Sequence, residues 1–355
     1  MSTNPYRDLP DHQFWRRSVA AVEPFRFDPV VSTRFRIGKQ ERVATAGSCF
    51  AQHISSRLAR IGFNYFITEP GDDGLTPAQR REQNYGVFSA RFGNLYTTRQ
   101  LLQLLQEAID GRRAQEGVWQ RDDGRFVDAL RPQIDAAGFA SPEQVVAERE
   151  RHLVAVRRMF EDCEIFVFTL GLTEAWQSRL DGTVYPLAPG VAGGSFDPER
   201  HEFVNFDVLQ VMADLEEFLR RLKELNPWVK AVLTVSPVPL IATFEPRNVL
   251  VSTTYSKSVL RVAAEMAWRR NDWVEYFPSY EIITGNYNDS AYFEADYRGI
   301  NALGVDHAMR CFLAHYTENA EQPPSSPKPG APPAAVPGAG SGIVCDEEVL
   351  DQTRI

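Results

Sequence analysis

At 355 residues, with 43% hydrophobic residues and a formal net charge of −9, the chain can bury a sizeable core and has no basic excess to meet a nucleic-acid backbone. It has no apolar run of the length a membrane-spanning helix needs, and Met1-Ser2-Thr3-Asn4-Pro5-Tyr6-Arg7-Asp8 lacks the basic-then-apolar start of a secretory leader. The expectation is a cytoplasmic protein with neither a nucleic-acid nor a membrane partner. Cys49, Cys163, Cys311 and Cys345 have no Cys-x-x-Cys spacing, so reduced thiols are expected rather than a disulfide framework or a zinc site.

Residues 1–41 are polar and aromatic with scattered proline. They are expected to form an extension packed on the domain, anchored by Phe14, Trp15, Phe25 and Phe27. Val43 to Ala46 then reads as a short buried strand that ends at Gly47. Phe50, Ile54, Leu58 and Ile61 recur at helical spacing after it, and Gly62 stops the helix. This strand, turn and helix put Ser48 and Cys49 at a helix N-terminus, where free N–H groups and the helix dipole favour developing negative charge. Ser48 is therefore either a nucleophile with its own N–H as an oxyanion donor, or a plain N-cap. Cys49 is either a rival nucleophile with a lowered pKa or a small packed residue.

Further along, Phe63 to Ile67 reads as a second strand. Tyr85 to Asn94 reads as a Gly-bearing loop leading into the helix Thr98 to Ile109. Residues 111–138 suggest a hairpin, and Ser141-Pro142 starts a helix that runs to about Glu161. Ile165 to Thr169 is an uncharged central strand, and it is followed by Gly171-Leu172-Thr173-Glu174. Residues 177–206 have no long periodicity, and His201 among them reads as a loop histidine. Helices at Phe206 to Leu225 and Thr254 to Arg270 alternate with strands at Val229 to Val235 and Trp273 to Phe277, and Gly304 to His315 forms the last helix.

This alternation predicts one α/β domain over residues 42–318, a three-layer α/β/α sandwich with a mostly parallel sheet of about five strands. Sites in such sheets lie at the strands' carboxyl ends, which would gather Ser48, Gly93, Thr173, Ser236 and the loop at 277–281. Residues 319–355 read as a disordered Pro/Ala/Gly-rich tail. Its acidic end, with Ile343, Val344, Val349 and Leu350, is either a short docking segment or simply mobile.

Gly47-Ser48-Cys49-Phe50-Ala51 resembles the signature of the GSCFA domain family, whose members are related to SGNH (GDSL-like) hydrolases. The matching blocks continue at Tyr85 to Asn94, Thr169 to Trp176, Ser236 to Pro239 and Phe277 to Glu281, and the resemblance covers about residues 40–315. It implies a Ser48-dependent ester hydrolase or O-acyl(acetyl)transferase acting on a small acyl ester, in particular one on a carbohydrate, with no cofactor or metal. It also implies oxyanion donors at Ser48, at Gly93 or Asn94, and at Thr173. Thr173 and Glu174 stand where the related enzymes carry Asn and Asp, and the alternative there is a Thr and an acid capping the next segment. The Asp-x-x-His of those enzymes is broken, because Gly299 stands in the His position after Asp296. That leaves His307 as the expected base, oriented by Asp296 or Glu281; His53 is its rival, but lies too far along the signature helix for easy contact with Ser48 Oγ and near enough for a substrate tail. Arg91, Glu174, Tyr280 and His53 are the expected substrate contacts. The alternative is a non-catalytic module without a functional base, holding a ligand through Arg91, Asn94, Tyr280 and Lys257.

Overall fold

The structure, a computed structural model, describes residues 4–318 together with Asp346. In chain order, β1 (Val43–Gly47) leads into α1 (Ala51–Arg60), and a short α2 (Pro77–Glu82) precedes α3 (Thr98–Asp110). The hairpin β2 (Val118–Gln120) and β3 (Phe126–Asp128) is followed by α4 (Pro142–Asp162) and β4 (Ile165–Leu170). Then come β5 (Glu174–Ser178), β6 (Val184–Tyr185), β7 (His201–Asn205), α5 (Val208–Leu225) and β8 (Lys230–Val235). The chain closes with α6 (Val249–Arg270), β9 (Val274–Tyr276), α7 (Ser279–Thr284) and α8 (Ala302–Tyr316).

Local chemistry sets several of these boundaries. Thr97 and Gln100 form a reciprocal capping box at the start of α3, and Gly111 ends that helix at φ 75°. Ser141 with Pro142 opens α4, and Asp207 with Gln210 opens α5.

The centre is a 4-stranded parallel sheet in the order β1-β4-β8-β9. Alternate residues of β4 point to opposite faces. Phe166 and Phe168 enter the core shared with α3, α4, α5 and α6, while Ile165 and Val167 enter a second core shared with α1, α7 and α8. With both faces covered, β1 and β4 are buried throughout, which explains their uncharged sequences.

The expected strand at Phe63 to Ile67 is reduced to one bridge. Asn64 O accepts from Val43 N, and Phe66 N donates to Val43 O, before Thr68 N turns away to Ser89 O. The segment thus touches the sheet edge at a single point. Residues 177–206, which lack a long periodicity, contribute to a separate antiparallel sheet in the order β6-β5-β7. Its strands are too short for their alternation to stand out. α6 begins at Val249 rather than Thr254 because Val249, Leu250 and Val251 are exposed and give no amphipathic signal. Phe27 and the neighbouring residues of the N-terminal extension pack against α8, and Ile37 is paired with the end of that helix. The tail expectation lies outside the described residues except at Asp346.

Candidate functional site

The turn after β1 is built on close approach. Gly47 has φ +134°, and a Cβ there would stand 2.3 Å from the Thr169 carbonyl oxygen. Ser48 N donates to that same oxygen at 3.2 Å, so the Ser48 N–H is committed to the sheet rather than to an oxyanion. Ala51 N and Gln52 N then donate back to Ser48 O and Cys49 O, which starts the helical winding. A capping serine would accept an N–H two or three residues ahead. The Ser48 hydroxyl does not: Oγ is buried and has no hydrogen-bond partner among the described residues. The Thr98 and Thr169 hydroxyls are likewise without a hydrogen-bond partner among the described residues, so what sets Ser48 apart is its place at the strand-to-helix turn beside Asn94.

The ends of the neighbouring elements close around this serine. Leu95 N donates to Gly47 O at 2.9 Å, and Tyr96 O accepts from Gly171 N and Leu172 N. Gly171 lies so close that a Cβ on it would meet Tyr96 O at 3.0 Å and Ser48 Cβ at 3.2 Å. The fully buried Lys257 of α6 donates to Gly171 O at 2.7 Å, and Ser236 N, at the end of β8, donates to Leu170 O. The carboxyl ends of β1, β4 and β8 thus meet at one place, as the parallel topology requires.

Asn94 gives this place its polarity. Gln52, one turn into the helix that Ser48 opens, donates from Nε2 to Asn94 Oδ1 at 3.3 Å, which turns the Asn94 NH2 the other way. That NH2 donates to Asp346 Oδ2 at 2.9 Å, and the Asn94 backbone N–H donates to the same carboxylate. Burial pushes the Asp346 carboxyl up to about 6 against the pull of both Asn94 donors. Gly93, at φ +76°, makes the turn before Asn94. Of the two positions left open by sequence, Asn94 is the one with paired donors on a carboxylate.

Other expected site residues are spent elsewhere. His307 is fully buried, with Nδ1 2.6 Å from Tyr292 Oη and Nε2 2.6 Å from Phe27 O, so both ring nitrogens are committed to packing the N-terminal extension on α8. Asp296 accepts from Arg298 N and Gly299 N in its own turn and does not orient His307. Thr173 donates its hydroxyl to Asn205 Oδ1 at 2.7 Å and its N–H to Ser256 Oγ, which leaves nothing for an oxyanion.

Arg91 is a structural clamp. Its guanidinium bonds Gln83 O, Tyr85 Oη, Glu148 and Ile134 O, and it stacks 4.0 Å above the Tyr85 ring. Its backbone N–H donates to Glu69, which also accepts from His152 Nδ1, neutral because burial lowers its pKa to about 3. Glu174 accepts from Thr243 Oγ1 and Phe244 N and ties the loop after β8 to β5. Tyr280 is half-buried against the larger core at the start of α7. Cys49, Cys163 and Cys311 are buried and in no disulfide among the described residues; Cys345 lies outside them.

His53 remains. It lies on α1, packs against Phe50 with ring centroids 5.5 Å apart, and makes no hydrogen bond through its ring among the described residues. Burial lowers its pKa to about 4. Sequence reading missed Gln52, which looked like an ordinary polar face residue, and Asp346, which looked like tail. Their only signals were adjacency to the signature and an acidic residue set among Ile343, Val344, Val349 and Leu350.

A parallel α/β protein with a buried serine at a strand-to-helix turn, beside an asparagine that holds a carboxylate, is the class that this fold and site define. Within that class, residues 42–312 match the GSCFA family, and the chain belongs to it. Comparison with curated proteins finds no matching relative. No helix among the described residues is long and apolar enough to cross a membrane.

Proposed function

We propose that the chain is an SGNH-like serine-dependent ester hydrolase or O-acyl(acetyl)transferase acting on a small acyl ester, in particular one carried by a carbohydrate. The observation that carries this reading is the buried Ser48 Oγ, without a partner among the described residues, at the turn whose neighbouring loop directs the Asn94 amides onto a carboxylate. Ser48 Oγ attacks the ester carbonyl carbon and its proton passes to His53, which is neutral at physiological pH. The carbonyl oxygen, now an oxyanion, accepts from Asn94 N and Nδ2. Collapse of the tetrahedral intermediate releases the alcohol, which takes up the proton. The acyl-serine then passes its acyl group to water in a hydrolase, or to an acceptor hydroxyl in a transferase. Gln52 is a positioning residue that fixes which way the Asn94 amide faces.

A second reading is a non-catalytic module that binds carboxylates, and two observations favour it: His307 is sealed away, and Asn94 already holds a carboxylate. Labelling with a fluorophosphonate serine-hydrolase probe separates the two. It should be run on wild type and on Asp346→Ala, each with and without Ser48→Ala and Cys49→Ala. Labelling that vanishes with Ser48→Ala and survives Cys49→Ala supports the esterase reading. A chain that stays unlabelled even as Asp346→Ala is the binding module.

A further inference from the structure

We propose that Asp346 is a tethered occupant of the candidate site, its carboxylate resting on the Asn94 amides where the oxyanion or the product acid would stand. This deepens the functional reading above and rests on it. Asp346 and Asn94 are 252 residues apart in sequence, so nothing local brings them together. An aspartate is normally left in water, because burying an unpaired carboxylate is costly. Asp346 is instead only 5% exposed and receives both Asn94 donors. The local sequence, Ile343-Val344-Cys345-Asp346-Glu347-Glu348-Val349-Leu350, mixes acids with apolar residues, unlike the Pro/Ala/Gly-rich stretch before it.

A carboxylate has the negative charge of the oxyanion and the planar shape of a product acid, so donors arranged for one accept the other. A segment on the same chain also acts at an effective concentration that a free ligand does not match. Substrate must then displace Asp346 before Ser48 can react.

The test uses the full chain with a protease recognition sequence inserted after Gly330, cut once folded and freed of its C-terminal fragment. Removing the fragment is expected to speed fluorophosphonate labelling of Ser48 roughly tenfold or more, and a synthetic peptide of residues 342–355 to slow it again. The same peptide carrying Asp346→Ala should not slow it. Where Ser48 labels, an unchanged labelling rate after removal overturns the proposal. Anisotropy of the fluorescein-labelled peptide on the cut protein gives a readout independent of catalysis. Binding that Asp346→Ala weakens supports occupancy even if Ser48 never labels, in which case only the esterase reading fails. No binding overturns occupancy, whatever the labelling shows.

Discussion

At the scale of single residues, the environment of each histidine decides what it can do. His307 has the sequence position expected of a base, yet its two nitrogens are held by Tyr292 and by Phe27, the latter 280 residues away. His53 has the less promising position and the uncommitted ring. With His53 as proton acceptor, the acid limb of kcat/KM in the Asp346→Ala protein should fall with a midpoint near 4, where burial sets its pKa, and not near 6.5. A midpoint near 6.5 would remove His53 from the mechanism. Gln52→Leu removes the Gln52 hydrogen bond to Asn94 Oδ1 that helps to set which way the amide faces. Activity should fall roughly tenfold with melting temperature nearly unchanged, as one positioning hydrogen bond is lost. A parallel loss of stability would instead mark Gln52 as a packing residue. Ser48 and its turn were legible in sequence because glycine punctuation and helical spacing are local signals. The partners of His307 were not, since no spacing rule reports a contact made across the fold.

At the scale of elements, the site depends on how closely β1, β4 and the loop at 93–96 approach. Gly47→Ala would drive a Cβ into the Thr169 carbonyl while holding a positive φ, and no flexible side chain there can yield. The variant should be destabilised by several kcal/mol, on the order of other cases of strain at a special backbone position, and should be recovered mainly as aggregate. A soluble variant with wild-type melting would contradict this account of the turn. The loop is held from behind by Arg91, through Glu148, Tyr85 and the Gln83 and Ile134 carbonyls. Arg91→Met removes the guanidinium from Gln83 O and Tyr85 Oη, while half-buried Glu148 keeps Arg151 and Ile134 O keeps the Asn84 amide. A loss of roughly 1–3 kcal/mol in urea unfolding is expected, as when a buried group loses its hydrogen-bond partner. Had Arg91 been a substrate contact, the variant would instead raise KM and leave the unfolding midpoint alone. The helices and the central strands could be read from periodicity and capping residues. The sheet formed by β5, β6 and β7 could not, because its stability comes from contacts between segments too short to carry a pattern.

At the scale of the whole molecule, buried neutral histidines make stability depend on pH. Folded, His307 has its pKa lowered to about 4 and His152 to about 3, both chiefly by burial; an unfolded chain protonates each near the usual 6.5. Between those values the unfolded state holds protons that the folded state lacks. Stability from these residues is therefore complete above about 6.5 and is lost as pH falls toward the folded values. Each contributes on the order of a few kcal/mol, at about 1.4 kcal/mol per pKa unit. The melting temperature should thus drop between pH 7 and pH 4.5, and the drop should be shallower in His307→Gln, which keeps a donor but cannot be protonated. An equal slope in both proteins would show that His307 is not a source of the acid sensitivity.

By itself the sequence determined the alternation of strand and helix, the parallel sheet and the serine at the end of its first strand. Those follow from residue periodicity and from glycine's access to positive φ, which act over a few residues. Only the tertiary structure decided which polar groups remained free. It spent the Thr173, Arg91 and His307 side chains on distant partners, left the Ser48 hydroxyl with none among the described residues, and brought Asp346 onto Asn94. A buried hydrogen-bonding group is satisfied by whatever the completed fold places beside it, and no local pattern in the chain records that neighbour.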